Sequence, residues 1–100
     1  IFMNYEVTIE QVLQLSNAII IDIRSKYKYS LGHIPGAKHV LVDDLLDEPA
    51  EHLNYNDTYY LYCEYGAISN RVATTLSRFG YHTYSVKDGY YAYLEHESMI

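Results

Sequence analysis

The feature that most constrains the fold is a short run of residues that is apolar at consecutive positions. Residues 18–23 have the sequence Ala-Ile-Ile-Ile-Asp-Ile, so both faces of the segment are apolar except at Asp22. A strand with one solvated face alternates apolar and polar side chains, whereas a strand buried on both faces does not. The run therefore predicts a central strand of a parallel sheet that is covered on both sides.

Strand and helix patterns alternate along the rest of the chain. Further strands are predicted at residues 38–40, 58–63 and 83–86, and helices at 8–16, 25–31, 41–47, 69–79 and 90–96. Thr8 and Gln11 have the spacing of a capping box, and Gly80 follows a helix as glycine often does. Because parallel strands need crossover connections, we expect an α/β fold: a five-stranded, mainly parallel sheet with helices on both faces. Residues 1–100 have the length of a single domain.

Composition narrows the range of functions. Thirteen acidic and seven basic side chains give a formal charge of −6, and the basic stripe typical of nucleic-acid-binding proteins is missing from the sequence. One cysteine allows no internal disulfide, and no apolar run approaches the length of a membrane helix. The histidines and the single cysteine lack the spacing of metal ligands. The sequence thus predicts a cytoplasmic protein with no metal or organic cofactor and no nucleic-acid or membrane partner.

The candidate for chemistry is Cys63, which ends one predicted strand shortly before the next predicted helix. Active sites of parallel α/β sheets lie beyond the carboxyl ends of the strands. There a cysteine faces backbone N–H groups and the positive end of the helix dipole, which both favour the thiolate. Gly66 permits a tight turn, and Ser69 is placed to cap the helix. We interpret Cys63 as a nucleophile rather than as a buried apolar side chain.

Several ordered motifs resemble those of the rhodanese family and together cover nearly the whole chain. Residues 20–24 resemble its apolar strand followed by Asp-x-Arg, and residues 32–37 have its sequence G-H-I-P-G-A. Residues 63–69 are similar to its active-site loop, C-x-x-G-x-R followed by Ser. Residues 88–93 resemble its closing G-G-x-x-x-W, with Asp in place of the first Gly and Tyr in place of Trp. The resemblance implies a rhodanese-like fold and a sulfurtransferase or sulfur carrier that moves sulfane sulfur through a persulfide on Cys63.

The resemblance also implies roles for the residues around Cys63. It predicts an active-site loop made of Glu64, Tyr65, Gly66, Ala67, Ile68 and Ser69. We interpret Asp22, Arg24 and His33 as structural support, because buried charges need partners and the histidine lies in a turn. Arg71, in the first turn of the loop helix, is a candidate contact for an anion.

Two loop residues depart from the family pattern. Ile68 stands where the family often has an arginine suited to an oxyanion such as thiosulfate. Glu64 adds negative charge where many relatives carry a basic residue. These departures predict weak thiosulfate activity. The expected partners are a sulfur donor, either a small molecule or a protein, in the form of a persulfide or thiosulfate, and a thiol acceptor.

Two other functions fit parts of the pattern. A non-catalytic binding or regulatory module would explain Ile68 and Glu64 but not the retained Cys63. A phosphatase or arsenate reductase needs a loop that is one residue longer and ends in arginine. That arginine would fall at Ser69, so the phosphate clamp is missing.

Overall fold

The computed structural model describes residues 5–99. Its sheet consists of β1 (Glu6–Val7), β2 (Ile19–Asp22), β3 (Lys38–His39), β4 (Thr58–Tyr62) and β5 (His82–Val86). The strands lie in the order β1-β5-β4-β2-β3, and every neighbouring pair is parallel. The α/β prediction is confirmed, and the sheet is entirely rather than mainly parallel. The predicted domain also includes residues 1–4 and 100, which lie outside the described residues.

The helices are α1 (Ile9–Leu13), α2 (Lys26–Leu31), α3 (Val42–Asp47), α4 (Ala67–Arg78) and α5 (Gly89–Ser98), with a 3-10 turn at Pro49–Glu51. The capping box of α1 is present, since Gln11 N donates to Thr8 Oγ1 and Gln11 Oε1 accepts from Thr8 N. The predicted helix over 8–16 is too long, because α1 has only Ile9 and Val12 to bury and Leu15 is 47% exposed. Within residues 5–99, no helix is both long and apolar enough to cross a membrane.

Alternation along the central strands divides the core between the two faces of the sheet. Ile21 and Leu61 pack with residues of α3 and α4 on one face. Ile20 and Tyr62 pack with residues of α1 and α5 on the other face. Helices therefore cover both faces, as the consecutive apolar residues of β2 require. Cys63 belongs to the cluster on the α4 side, directly beyond the carboxyl end of β4.

Candidate active site

The segment that joins β4 to α4 forms a tight loop around the cysteine side chain. Gly66 is the residue that precedes the helix, and its φ of 102° lies in the left-handed region that glycine adopts without strain. The sequence-based assignment of Ser69 as the helix cap is wrong, because α4 begins two residues earlier, at Ala67. Ser69 lies inside the first turn, fully buried, and its hydroxyl donates to the Gly66 carbonyl at 3.2 Å.

Hydrogen-bond donors of this loop converge on the Cys63 sulfur. Gly66 N donates to Cys63 Sγ at 3.2 Å, and Ser69 N donates to it at 3.3 Å. The thiol in turn donates to Ser69 Oγ at 3.3 Å. Cys63 is only 6% exposed, so these contacts act where water screens them little. The loop is a cradle for negative charge on sulfur.

This cradle sets the protonation of the thiol. Burial alone would raise the pKa of Cys63, because it disfavours the thiolate. The side-chain hydrogen bond with Ser69 and the hydrogen bonds of the Ser69, Gly66 and Ile68 backbone amides act in the opposite direction. They outweigh burial, and the pKa of Cys63 lies below its ordinary value. The site therefore holds a larger fraction of reactive thiolate at neutral pH than a free cysteine does.

Alkylation by iodoacetamide as a function of pH tests this property. The rate follows the thiolate fraction, so its half-point is expected below the value of about 8.5 for a free thiol. The chain has one cysteine, so all alkylation reports on Cys63. The same chain unfolded in urea provides the reference, because unfolding removes the cradle and leaves the sequence unchanged. A folded half-point at or above that of the unfolded chain would refute an activated thiol.

The start of α5 donates backbone hydrogen bonds to the cysteine loop. Tyr90 N donates to the Cys63 carbonyl at 2.8 Å, and Tyr91 N donates to the Glu64 carbonyl at 3.1 Å. The approach is close: a Cβ on Gly89 would overlap the Cys63 carbonyl, and one on Gly66 would lie 2.9 Å from Asp88 N. The motif at residues 88–93 thus fixes the backbone of the cysteine loop. Asp88 has a left-handed φ of 60°, a conformation that Asp tolerates better than most residues.

Asp22 and Arg24 form a buried pair at the end of β2. Arg24 Nη2 lies 2.7 Å from Asp22 Oδ2 and also donates to the Gly32 carbonyl at 2.7 Å. The guanidinium lies over the Tyr90 ring, with 4.1 Å between its carbon and the ring centroid. These contacts join β2, the segment after α2 and the start of α5.

The negative charge that Glu64 adds beside the nucleophile is paired with cations from two other segments. Its carboxylate lies 3.4 Å from Arg24 Nη1 and 3.4 Å from Lys28 Nζ on α2. Sequence reasoning missed Lys28, because no local pattern relates a helix surface lysine to a loop that is distant along the chain. The carboxylate belongs to a three-residue charge cluster at the rim.

The other predicted site residues lie around the cradle rather than in it. His33 Nδ1 lies 2.9 Å from the Tyr29 carbonyl, and the two rings stack at 3.8 Å. Ile68 is 48% exposed and shares a shallow groove with Arg71, which is exposed on the same side of α4. Among residues 5–99, no described hydrogen bond or ion pair joins the Arg71 side chain to the loop. Tyr65 is 70% exposed beside the ring of Tyr91.

Known proteins resemble this chain in sequence and fold. The family model of the rhodanese-like domain matches residues 8–96. The chain is 37% identical over 70 residues to a tRNA sulfurtransferase of Pyrobaculum aerophilum, covering 70% of the chain and 14% of that protein. It is 28% identical over 89 residues to an adenylyltransferase and sulfurtransferase of Kluyveromyces lactis, covering 77% of the chain and 20% of that protein. The chain therefore spans only a small part of each of these relatives.

A solved structure gives the same result at the level of the fold. The crystal structure of a rhodanese-like domain protein from Staphylococcus aureus superimposes with a TM-score of 0.77 at 28% identity, covering 90% of both chains. Both relatives named above are sulfurtransferases by name, which supports sulfur transfer at the level of the family. By its matched length, its parallel sheet and its cysteine loop, the chain belongs to the rhodanese-like domain family.

Proposed function

We propose that this protein is a sulfurtransferase or sulfur carrier in which Cys63 holds the transferred sulfur as a persulfide. The observation that carries the proposal is that Gly66 N and Ser69 N both donate to the Cys63 sulfur, with the Ser69 hydroxyl beside it as the acceptor of the thiol proton. A buried apolar cysteine needs no such donors, whereas a sulfur anion does. The cradle serves the thiolate before transfer and suits the anionic persulfide after it.

The reaction needs no outside oxidant or reductant. The Cys63 thiolate attacks the terminal sulfur of a donor persulfide, R–S–SH, forming a new S–S bond while the donor's S–S bond breaks. The donor leaves as a thiolate that takes up the proton of the transferred sulfur, so the products are the thiol R–SH and the anion Cys63–S–S⁻. An acceptor thiolate then attacks the terminal sulfur and becomes a persulfide, and the Cys63 thiolate is restored. This is covalent catalysis by a single side chain.

Intact mass measurement tests the proposal directly. After treatment with glutathione persulfide and removal of excess donor, the protein is expected to gain the mass of one sulfur atom. Adding a small thiol should return the original mass and release a persulfide of that thiol. Protein alkylated beforehand with iodoacetamide is the control and should gain nothing. A protein that never gains sulfur from any persulfide donor would instead fit a non-catalytic binding module.

The loop mouth favours thiol persulfides over thiosulfate as donors. Ile68 and Tyr65 are exposed there, and neither side chain binds a dianion. Two cations beside the loop, Arg24 and Lys28, are already paired with Glu64. A persulfide group brings one negative charge to the cysteine where thiosulfate brings two, and the rest of a thiol or protein donor has surface that these side chains can contact. The donor class we propose is therefore a persulfidated thiol, and the acceptor is a second thiol.

Ile68→Arg is expected to raise thiosulfate:cyanide activity about ten- to a hundred-fold. A charge-assisted hydrogen bond contributes about 1.5–3 kcal/mol, and such an arginine would offer it to the thiosulfate oxygens at the mouth. Leu94→Arg is the matched control, because Leu94 on α5 is equally exposed at 48% and the added charge is the same. It should leave the activity within about two-fold, since surface charges at a distance are screened.

The steady-state rates of both variants decide between two explanations of anion binding. Efficient thiosulfate turnover by the native protein that Ile68→Arg does not change would contradict the role given to Ile68. Arg71, which shares the groove with Ile68, would then be the residue that binds the anion.

A further inference from the structure

A second buried hydroxyl lies behind the cradle and belongs to a different element. Ser85 on β5 is fully buried, and its Oγ lies 2.7 Å from Ser69 Oγ. Among the described residues, this is the hydrogen bond formed by the Ser85 hydroxyl. Burying a hydroxyl costs free energy unless it is bonded, so the Ser85 hydroxyl depends on Ser69 for its partner. The Cys63 sulfur, the Ser69 hydroxyl and the Ser85 hydroxyl therefore form a continuous chain of contacts.

The protons of this chain can be assigned for both states of the sulfur. When Cys63 is a neutral thiol, its proton points to Ser69 Oγ, and the Ser69 proton points to the Gly66 carbonyl. When Cys63 is an anion, the sulfur needs donors, and the Ser69 proton must turn toward it. The Gly66 carbonyl remains bonded after that rotation, because Asn70 N donates to it at 3.0 Å.

Which of the two serine hydroxyls donates in the Ser69–Ser85 hydrogen bond determines whether the rotation stabilises the sulfur anion. If Ser69 donated to Ser85, its single proton would be unavailable to the sulfur. If Ser85 donates to Ser69, the Ser69 oxygen is satisfied as an acceptor and its own proton is free to point to Cys63. A donated hydrogen bond also polarises the Ser69 hydroxyl and makes it a stronger donor.

We propose that Ser85 is a positioning residue whose hydroxyl donates to Ser69 and so directs the Ser69 proton to the Cys63 sulfur anion. Ser85 itself does not contact the sulfur. The inference deepens the proposed function. Its relevance to sulfur transfer rests on that function, whereas the effect of Ser85 on the Cys63 thiolate does not. The hydroxyl geometry can be tested without any sulfur donor.

The test is the pH dependence of Cys63 alkylation in Ser85→Ala. Loss of one hydrogen-bond donor should move the half-point about 0.5–1 pH unit upward, which lowers reactivity about three- to ten-fold below the half-point. Thr83→Val is the matched control. Thr83 is also buried on β5 with its hydroxyl toward α4, but it donates to the Ala73 carbonyl and lies outside the cradle. Its half-point should equal that of the native protein.

The double variant separates action through Ser69 from any other route. In a Ser69→Ala background, Ser85→Ala should cause no further shift, because the intermediate hydroxyl is gone. An unchanged half-point in Ser85→Ala, or additive shifts in the double variant, would overturn the inference. If Ser85→Ala is too unstable to titrate, Ser85→Thr and Ser85→Val give the same comparison, since they have the same shape and differ in the hydroxyl.

Sulfur transfer is measured separately on the same variants. A shifted half-point in Ser85→Ala supports the inference even if no variant, including the native protein, takes up sulfur. Absence of sulfur uptake would refute only the proposed function. Conversely, native persulfide formation together with an unshifted Ser85→Ala half-point would remove the role of Ser85 and leave the function intact.

Discussion

Cys63→Ser is expected to reduce sulfur transfer to the uncatalysed rate with every donor. The substitution replaces sulfur by oxygen and keeps the loop donors, but a serine hydroxyl stays protonated at neutral pH and forms no persulfide. No other side chain of the 100 residues offers a thiol, because the sequence has one cysteine. Intact mass after exposure to glutathione persulfide should show no added sulfur, and the rate of transfer to an acceptor thiol should equal that without protein.

The folded state of this variant has to be verified alongside its activity. The hydroxyl is smaller than the thiol, and Gly66 N and Ser69 N can still donate to it, so we expect circular dichroism close to that of the native protein. Thr83→Val, a substitution elsewhere in the same core, should keep native transfer rates and serves as the positive control. Transfer that survives in Cys63→Ser would disprove a persulfide on Cys63 and with it the mechanism.

Local sequence was sufficient for the parts of the site that lie in one segment. Three local features predict a ring of backbone amides around the sulfur: a strand that ends at a cysteine, a glycine shortly after it, and the start of a helix. All three lie within a few residues of one another, so sequence spacing is enough to detect them. The cradle is observed at Cys63, Gly66 and Ser69. The error lay in the function of Ser69, since serine before a helix usually caps it. Here the left-handed Gly66 precedes the first helical residue instead, and the serine faces the sulfur.

The parts contributed by distant segments could not be predicted. Lys28 on α2 pairs with Glu64, and Ser85 on β5 bonds to Ser69, and neither contact has a signature in sequence spacing. Net charge was read correctly from composition, but the pairing that compensates Glu64 depends on where α2 packs. The edge strand β1 was missed for a different reason. Two residues, Glu6–Val7, are too few to show a period of two.

Gly89→Ala is expected to destabilise the fold by about 2–5 kcal/mol. Gly89 has a left-handed φ of 56°, and a Cβ there would overlap the Cys63 carbonyl and approach the Glu64 backbone. The left-handed conformation alone costs an alanine about 1–2 kcal/mol. The overlap adds a packing penalty of about 1–3 kcal/mol, and the atoms in the way are backbone atoms that cannot rotate aside. Urea unfolding followed by circular dichroism gives the change in the free energy of unfolding.

Gly36→Ala separates the two contributions. Gly36 also has a left-handed φ, 83°, but a Cβ there meets nothing within 4 Å. The free energy of unfolding of Gly36→Ala should therefore fall only by the conformational cost, about 1–2 kcal/mol. The half-point of Cys63 alkylation should stay at the native value. In the folded fraction of Gly89→Ala that half-point should move, because the carbonyl held by Tyr90 N is displaced together with the loop. Equal destabilisation of the two variants would mean that α5 does not press on the cysteine loop. The start of α5 would then be a neighbour of the cradle and no part of its support.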